Sequence, residues 1–289
     1  MGMLSGRVIA ITGAGGGIGR EIAKLCAAEG ARIVASDIGA SLDGTEVTGG
    51  PAFDLVKEIE AVGGEAVAHT DDISEIEGGE SLLATGLDAF GNVDVLVNCA
   101  GILRDKMIFN MTAEEWDAVI KVHLRGHFST IRPLTAYWRK QGNPDANNRV
   151  INFTSAAGLF GNVGQPNYAA AKMGVIGLTY SLANGLTKYG VTSNAISPGA
   201  ATRMTASVPK ERLLYSEDGD ERSPRHVAPI VAYVASERSR WLNGQVIDSR
   251  GYTLTLFNKP EPKRQIIGTG PWDLERMAAL VEDTFRAAV

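Results

Sequence analysis

Short runs of apolar, largely β-branched residues recur along the chain, separated by longer stretches of helical character. The runs at 7–12, 31–37, 65–70, 93–98, 149–155, 191–197 and 244–248 read as strands. Four of them (VIAIT, RIVAS, VDVLVN and RVINF) are apolar nearly throughout, as a parallel strand covered on both faces must be. Segments 17–29, 51–62, 75–90, 112–140, 165–189 and 224–236 are mostly long enough to be crossover helices. Seven strands alternating with helices predict an α/β fold, a single doubly wound Rossmann domain over residues 1–250.

Three segments exceed that minimal layout. Residues 38–50 (IGASLDGTEVTGG) form a Gly/Thr-rich loop where a short turn would suffice. Residues 200–223 are polar, charged and broken by Pro209, and read as a substrate flap after the sixth strand. Residues 251–289 read as a C-terminal arm rather than a second domain, with an amphipathic helix expected at 272–287.

Composition narrows the partners more than the fold. A net charge of -5 gives no basis for nucleic-acid binding. No apolar run is long enough to span a bilayer, and the start MGMLSGRVIAITG carries no cleavage signature. Gly6 stands where a myristoylation motif would have Ser or Thr. Cys26 and Cys99 are too few for a disulfide framework, so a reducing cytoplasm is the expected setting.

The chemistry concentrates in two places. Strand 7–12 runs into TGAGGGIGREIA, where Gly13, Gly17 and Gly19 follow a strand and open a helix. Glycines there let the backbone turn tightly and approach a pyrophosphate at a helix N-terminus. The second strand ends at Asp37, whose carboxylate can hold the adenosine ribose and repel a 2′-phosphate, while Ile38 offers no guanidinium to receive one. This favours NAD over NADP. Asp72 and Ile73 fit either an adenine pocket or a plain turn, and Asn98 fits either a cofactor contact or a tie between strands.

The second place is RVINFTSAAGLFGNVGQPNYAAAKMG. A strand ends on Thr154 and Ser155, and a helix follows carrying Tyr168 and Lys172 at i, i+4, on one face. An ammonium beside a phenol favours the phenolate, so Lys172 is expected to lower the Tyr168 pKa from its ordinary value near 10. With a hydroxyl from Ser155, these are the parts for moving a proton on or off an alcohol oxygen. Taken alone the Tyr/Lys pair fits a surface Tyr beside a solvated Lys as well; its context changes that.

Taken together in this order, T12-G13-x-x-x-G17-x-G19, Asp72, Asn98-Cys99-Ala100-Gly101, Ser155, Tyr168-x-x-x-Lys172 and Pro198-Gly199 resemble the short-chain dehydrogenase/reductase family over about residues 5–250. The texture of residues 101–128 and 161–174, with Arg203-Met204-Thr205, is similar to a narrower group. These are the (3R)-hydroxyacyl-CoA dehydrogenase domains of peroxisomal multifunctional enzymes of type 2, which also oxidise 17β-hydroxysteroids. The resemblance implies an NAD-dependent oxidoreductase interconverting a secondary alcohol and a ketone on a bulky apolar substrate, a CoA thioester or a steroid. A 3-oxoacyl-carrier-protein-type reductase and a non-catalytic NAD-binding sensor are the alternatives.

By that resemblance Tyr168 is the general acid/base, Ser155 holds the substrate oxygen, and Lys172 holds the nicotinamide ribose. Gly13, Gly16, Gly17, Ile18, Gly19, Asp37, Asp72, Ile73, Asn98, Ala100, Gly101, Pro198, Gly199 and Thr202 fall at cofactor positions. Two departures stand out. His123 occupies the place of the family's usual Asn, so either its backbone carbonyl or its imidazole would serve the proton relay. Thr202 comes one residue early. His123 and His127 stand at a spacing that can bind zinc, yet no third ligand is evident, and no metal is expected. The resemblance also implies a homodimer or homotetramer joined through helices at about 112–140 and 165–189.

Overall fold

The computed structural model describes residues 2–48, 50–200 and 220–288. The chain divides into two compact units, Met1–Phe257 and Asn258–Val289. The first is built on strands β1 (Val8–Thr12), β2 (Arg32–Ser36), β3 (Glu65–His69), β4 (Val95–Asn98), β5 (Asn148–Phe153), β6 (Val191–Gly199), β7 (Val246–Arg250) and β8 (Thr253–Phe257). Their order across the sheet is β3-β2-β1-β4-β5-β6-β7-β8. All neighbours are parallel except β7 and β8.

The expected seven parallel strands are present, and the eighth is a correction to the reading of 251–289 as arm alone. Gly251, at φ +55, turns the chain so that Arg250 pairs with Thr253 and Val246 with Phe257. A two-residue turn led by a left-handed glycine is a standard hairpin device. The alternating run TLTLF supplies the β-branched and long apolar side chains of a strand.

Alternation along each strand feeds two cores. Ile9 and Ile11 of β1 pack on one face of the sheet, and Val8 and Ala10 on the other, all with no exposed surface. On the first face lie α1 (Gly17–Ala28), α2 (Gly50–Ala61) and α8 (Ala228–Ala235), contributing Ile22, Leu55 and Val231. On the second lie α3 (Ile76–Phe90), α5 (Gly126–Gln141) and α7 (Pro166–Leu186), contributing Leu82, Leu134 and Leu178. Each fully buried Ile or Leu contributes about 1.5–3 kcal/mol.

α4 (Ala113–Ile120) runs on through a π turn, Lys121–Arg125, into α5. Its start is fixed by reciprocal bonds: Glu115 N donates to Thr112 Oγ1 at 3.2 Å, and Thr112 N to Glu115 Oε2 at 3.0 Å. A short α6 (Ala156–Phe160) precedes α7. In the second unit, α9 (Leu274–Arg286) is capped by Asp273, whose Oδ1 accepts from Arg276 N at 2.9 Å. Most of the expected flap, including Thr202, Arg203-Met204-Thr205 and Pro209, lies outside the described residues. Among the described residues no helix is long and apolar enough to cross a membrane.

Candidate active site

Strand order reverses between β1 and β4, which opens a crevice at their C-terminal ends, where open α/β sheets take ligands. A cleft of about 440 Å³ lies there. At its floor, Gly13 has φ +68, and a Cβ there would come within 2.8 Å of the Ala100 Cα. A Cβ on Gly19 would meet the Gly13 carbonyl oxygen at 2.1 Å, so α1 packs directly on the turn. Gly16 caps α1 without a side-chain bond. Gly16, Gly17, Ile18 and Gly19 line the cleft, so the uncapped helix N-terminus faces it as an anion cradle. These residues fit the pyrophosphate of a dinucleotide. Thr12 Oγ1 accepts from Cys99 N at 3.1 Å and Ala100 N at 3.2 Å, tying the loops after β1 and β4 together.

Asp37 follows β2 and lines the same cleft. Its Oδ2 accepts from Gly15 N at 2.8 Å and its Oδ1 from Gly39 N at 2.7 Å, which aims the carboxylate without neutralising it. Asp72 lines the cleft and is also a turn residue, with Oδ1 accepting from Ser74 N at 2.9 Å and Ser74 Oγ at 2.7 Å. Ile73, Ala100, Gly101 and Pro198 complete the walls.

Of the two roles open to Asn98, the structure shows the tie between strands. The Asn98 side chain is buried within the sheet, donating to Asn152 Oδ1 at 3.2 Å and accepting from Thr130 Oγ1 at 2.8 Å. The register sets Thr12, Asn98 and Asn152 abreast, so this amide is a strand tie and not part of the cleft wall. Gly199 packs against the last residue of β7: a Cβ there would meet the Arg250 side chain at 2.6 Å.

Across the cleft, β5 ends at Phe153, and Ser155 caps α6, its Oγ accepting from Ala157 N at 3.2 Å. Pro166 opens α7, which carries Tyr168 and Lys172 onto the cleft wall. Lys172 is buried, and its Nζ donates to the Phe153 carbonyl at 2.7 Å. Thr154 Oγ1 donates to the Lys172 carbonyl at 2.8 Å, locking helix to strand. Ser155 stands near enough to the Tyr168 hydroxyl to pull its pKa down, so the three side chains converge.

The electrostatics correct one expectation. Burial pushes Tyr168 up to about 12, against a smaller downward pull from Ser155. Burial also lowers Lys172 to about 8. Charged forms are disfavoured on both side chains, and desolvation outweighs the attraction expected between them.

His123 sits in the π turn, buried, its ring meeting that of Tyr168 edge-on at 87° with centroids 5.0 Å apart. Its Nε2 lies 2.8 Å from the Ile102 carbonyl oxygen. Ile102 N lies 3.2 Å from the same Nε2, so the imidazole meets both backbone polar atoms of Ile102. Burial holds His123 well below its ordinary pKa and drops His127 to about 3. The His123 backbone carbonyl pulls His127 the other way, more weakly. Among the described residues no group of three or more His, Cys, Asp or Glu side chains could hold a metal ion.

The family model for short chain dehydrogenases matches residues 7–213. The chain is a short-chain dehydrogenase. It is thus an oxidoreductase of CH–OH groups that uses a nicotinamide cofactor. A hydroxyacyl-CoA dehydrogenase of Mycobacterium tuberculosis, ChsB1, is 43% identical over 98% of this chain and 89% of its own length. The mouse peroxisomal multifunctional enzyme type 2 is 40% identical over 80% of this chain, which spans 30% of that larger protein. A solved short chain dehydrogenase from Mycobacterium avium superposes with a TM-score of 0.88 at 43% identity, covering 100% of this chain and 97% of its own.

Several residues that shape this dehydrogenase site escape motif reading. Residues 38–48, with an antiparallel bridge between Ala40 and Val47, form a strap beside the cleft. The strap is tied to the loop after β4: Leu103 N donates to the Leu42 carbonyl at 3.0 Å, and Arg104 Nε to the Asp43 carbonyl at 2.9 Å. Its unusual length was the available signal. Asn167 holds the neighbourhood of Tyr168, donating to the Arg104 carbonyl at 3.0 Å and the Glu115 carbonyl at 3.2 Å. Gln165 Nε2 donates to Asp105 Oδ2 at 2.7 Å. Neither has a signal in spacing.

Proposed function

We propose that this dehydrogenase oxidises a secondary alcohol on a bulky apolar substrate with NAD, a 3-hydroxyacyl-CoA or a 17β-hydroxysteroid being the leading class. One observation carries this: a single cleft holds the Asp37 carboxylate at one end and Tyr168 with Lys172 at the other. Ser155 and Tyr168 would together grip the substrate oxygen, Ser155 donating to it and Tyr168, once ionised to the phenolate, accepting its proton. Lys172, anchored on the Phe153 carbonyl, keeps hydrogens for a ribose hydroxyl. The hydride acceptor is the one component the side chains do not provide, and a nicotinamide dinucleotide supplies it when bound. Asp37 would receive the adenosine ribose and repel a 2′-phosphate, which speaks against the NADPH-linked reductase reading. The names of the relatives, hydroxyacyl-CoA dehydrogenase and multifunctional enzyme type 2, support the thioester class. Half-exposed Phe128 on α5 and Met173 on α7 support assembly as a homodimer or homotetramer.

The test is NADH formation at alkaline pH, with NAD or NADP, across (3R)- and (3S)-hydroxyacyl-CoA thioesters and 17β-hydroxysteroids. Turnover with NAD on one class is expected. Silence on all of them despite calorimetric NAD binding would overturn the substrate assignment.

A further inference from the structure

The geometry points to His123 as a positioning residue that transmits the placement of the loop after β4 to the Tyr168 ring. This rests on Tyr168 being the acid/base proposed above. Three contacts carry it. A Cβ built on Gly101 meets the His123 imidazole alone among its three nearest atoms, at 2.3 Å from Cε1, 3.1 Å from Nε2 and 3.2 Å from Nδ1. The Nε2 of the same ring lies 2.8 Å from the Ile102 carbonyl oxygen and 3.2 Å from Ile102 N. The ring also lies edge-on against Tyr168, at 5.0 Å between centroids.

The imidazole is therefore a wedge with fixed faces. Gly101 and Ile102, both on the cleft wall, set where it stands, and it limits how the Tyr168 ring can turn. The π turn is what lets a side chain on a helix reach this position. A buried neutral imidazole suits the task, because a charged one would have to be desolvated between a glycine and an aromatic ring. Proton transfer needs the phenol oxygen aligned with the substrate oxygen, and misplacement by about 1 Å can cost on the order of 10²-fold in rate.

The experiment uses Gly101→Ala, His123→Ala and the double variant, with Tyr168→Phe alongside. It reads kcat on the alcohol that the wild type turns over, NADH affinity by fluorescence, and the melting temperature. His123→Ala is expected to lower kcat by about 10²-fold while NADH affinity stays within about two-fold. Gly101→Ala should lower kcat comparably by displacing the wedge, and should cost nothing further once His123 is Ala, because groups acting as one unit are non-additive. His123→Asn, whose amide can still hydrogen-bond the Ile102 backbone, should fall between wild type and His123→Ala. Multiplicative losses in the double variant would overturn the inference, as would equal loss of kcat, NADH affinity and melting temperature in His123→Ala. Wild-type kcat in the Ala variants with a dead Tyr168→Phe would remove this inference alone. Retained turnover in Tyr168→Phe would remove the acid/base assignment itself.

Discussion

The Lys172 ammonium sits 5.5 Å from the centre of the Tyr168 ring and donates to the Phe153 carbonyl. The cation is thus fixed near the face of the phenol by the end of a strand. Tyr168 stands at about 12 and Lys172 at about 8, so the neutral phenol beside the ammonium is the resting pair at neutral pH. Tyr168→Phe keeps the ring and deletes the proton carrier. It is expected to lower kcat by about 10²- to 10⁴-fold, with NADH affinity little changed. Steady-state kinetics paired with NADH fluorescence checks this, and near-normal turnover would dismiss Tyr168 as the base.

Replacing Asp37 separates charge from scaffolding. Asp37→Asn retains an acceptor for Gly15 N or Gly39 N and removes the negative charge. The NAD over NADP preference in kcat/KM should fall by about 10-fold or more, the scale of one charged hydrogen bond. Asp37→Ala should additionally loosen the Gly15 turn and weaken NAD itself. An unchanged cofactor ratio in both variants would locate the discrimination elsewhere.

The strap makes a kinetic prediction. Arg104→Ala removes the bond from Arg104 Nε to the Asp43 carbonyl and leaves the bond between Leu103 and Leu42. NADH should dissociate about 2- to 10-fold faster, as expected for losing one hydrogen bond of about 0.5–1.5 kcal/mol, the change appearing in koff. Stopped-flow displacement of NADH measures it. An unaltered dissociation rate would mean that the strap does not hold the cofactor.

Acid stability follows from the histidines. His127 is depressed from 6.5 to about 3, and His123 well below 6.5, both chiefly by burial. Below 6.5 the unfolded chain takes up protons that the folded chain refuses, so stability present above that pH is lost as pH falls toward the folded values. Each such group steepens the decline by about 1.4 kcal/mol per pH unit. Urea unfolding at pH 7.5 and pH 5 should show the loss, and His127→Leu should make the slope shallower. Equal slopes would contradict a neutral buried His127.

What could be read from the residues were features whose chemistry is local. VIAIT followed by TGAGGGIG specifies a buried strand and a close-approach turn in adjacent positions, and Asp37 marks the end of the next strand. Tyr168 and Lys172 share a face by helical spacing alone. Asn98 was open between two roles because its partners, Thr130 and Asn152, are 32 and 54 residues away and are set by sheet register. The direction of the Tyr168 shift is not legible in the sequence, because burial depends on the whole fold, whereas the spacing shows the cation alone. Gly251 and TLTLF spell a hairpin, yet an alternation of strands and helices does not predict β8, because no helix separates it from β7.

The π turn at Lys121–Arg125 has a consequence for evolution as well as for chemistry. One α-helical residue turns the chain by about 100°. Removing a single residue there would rotate Trp116 and Val119 relative to Thr130 and Leu134 by that amount. The helix would then keep either its grip on Asn98 in the sheet or its imidazole against Tyr168. The wide turn reconciles two faces that a straight helix of this sequence could not present together, so length in this stretch should tolerate substitution far better than deletion.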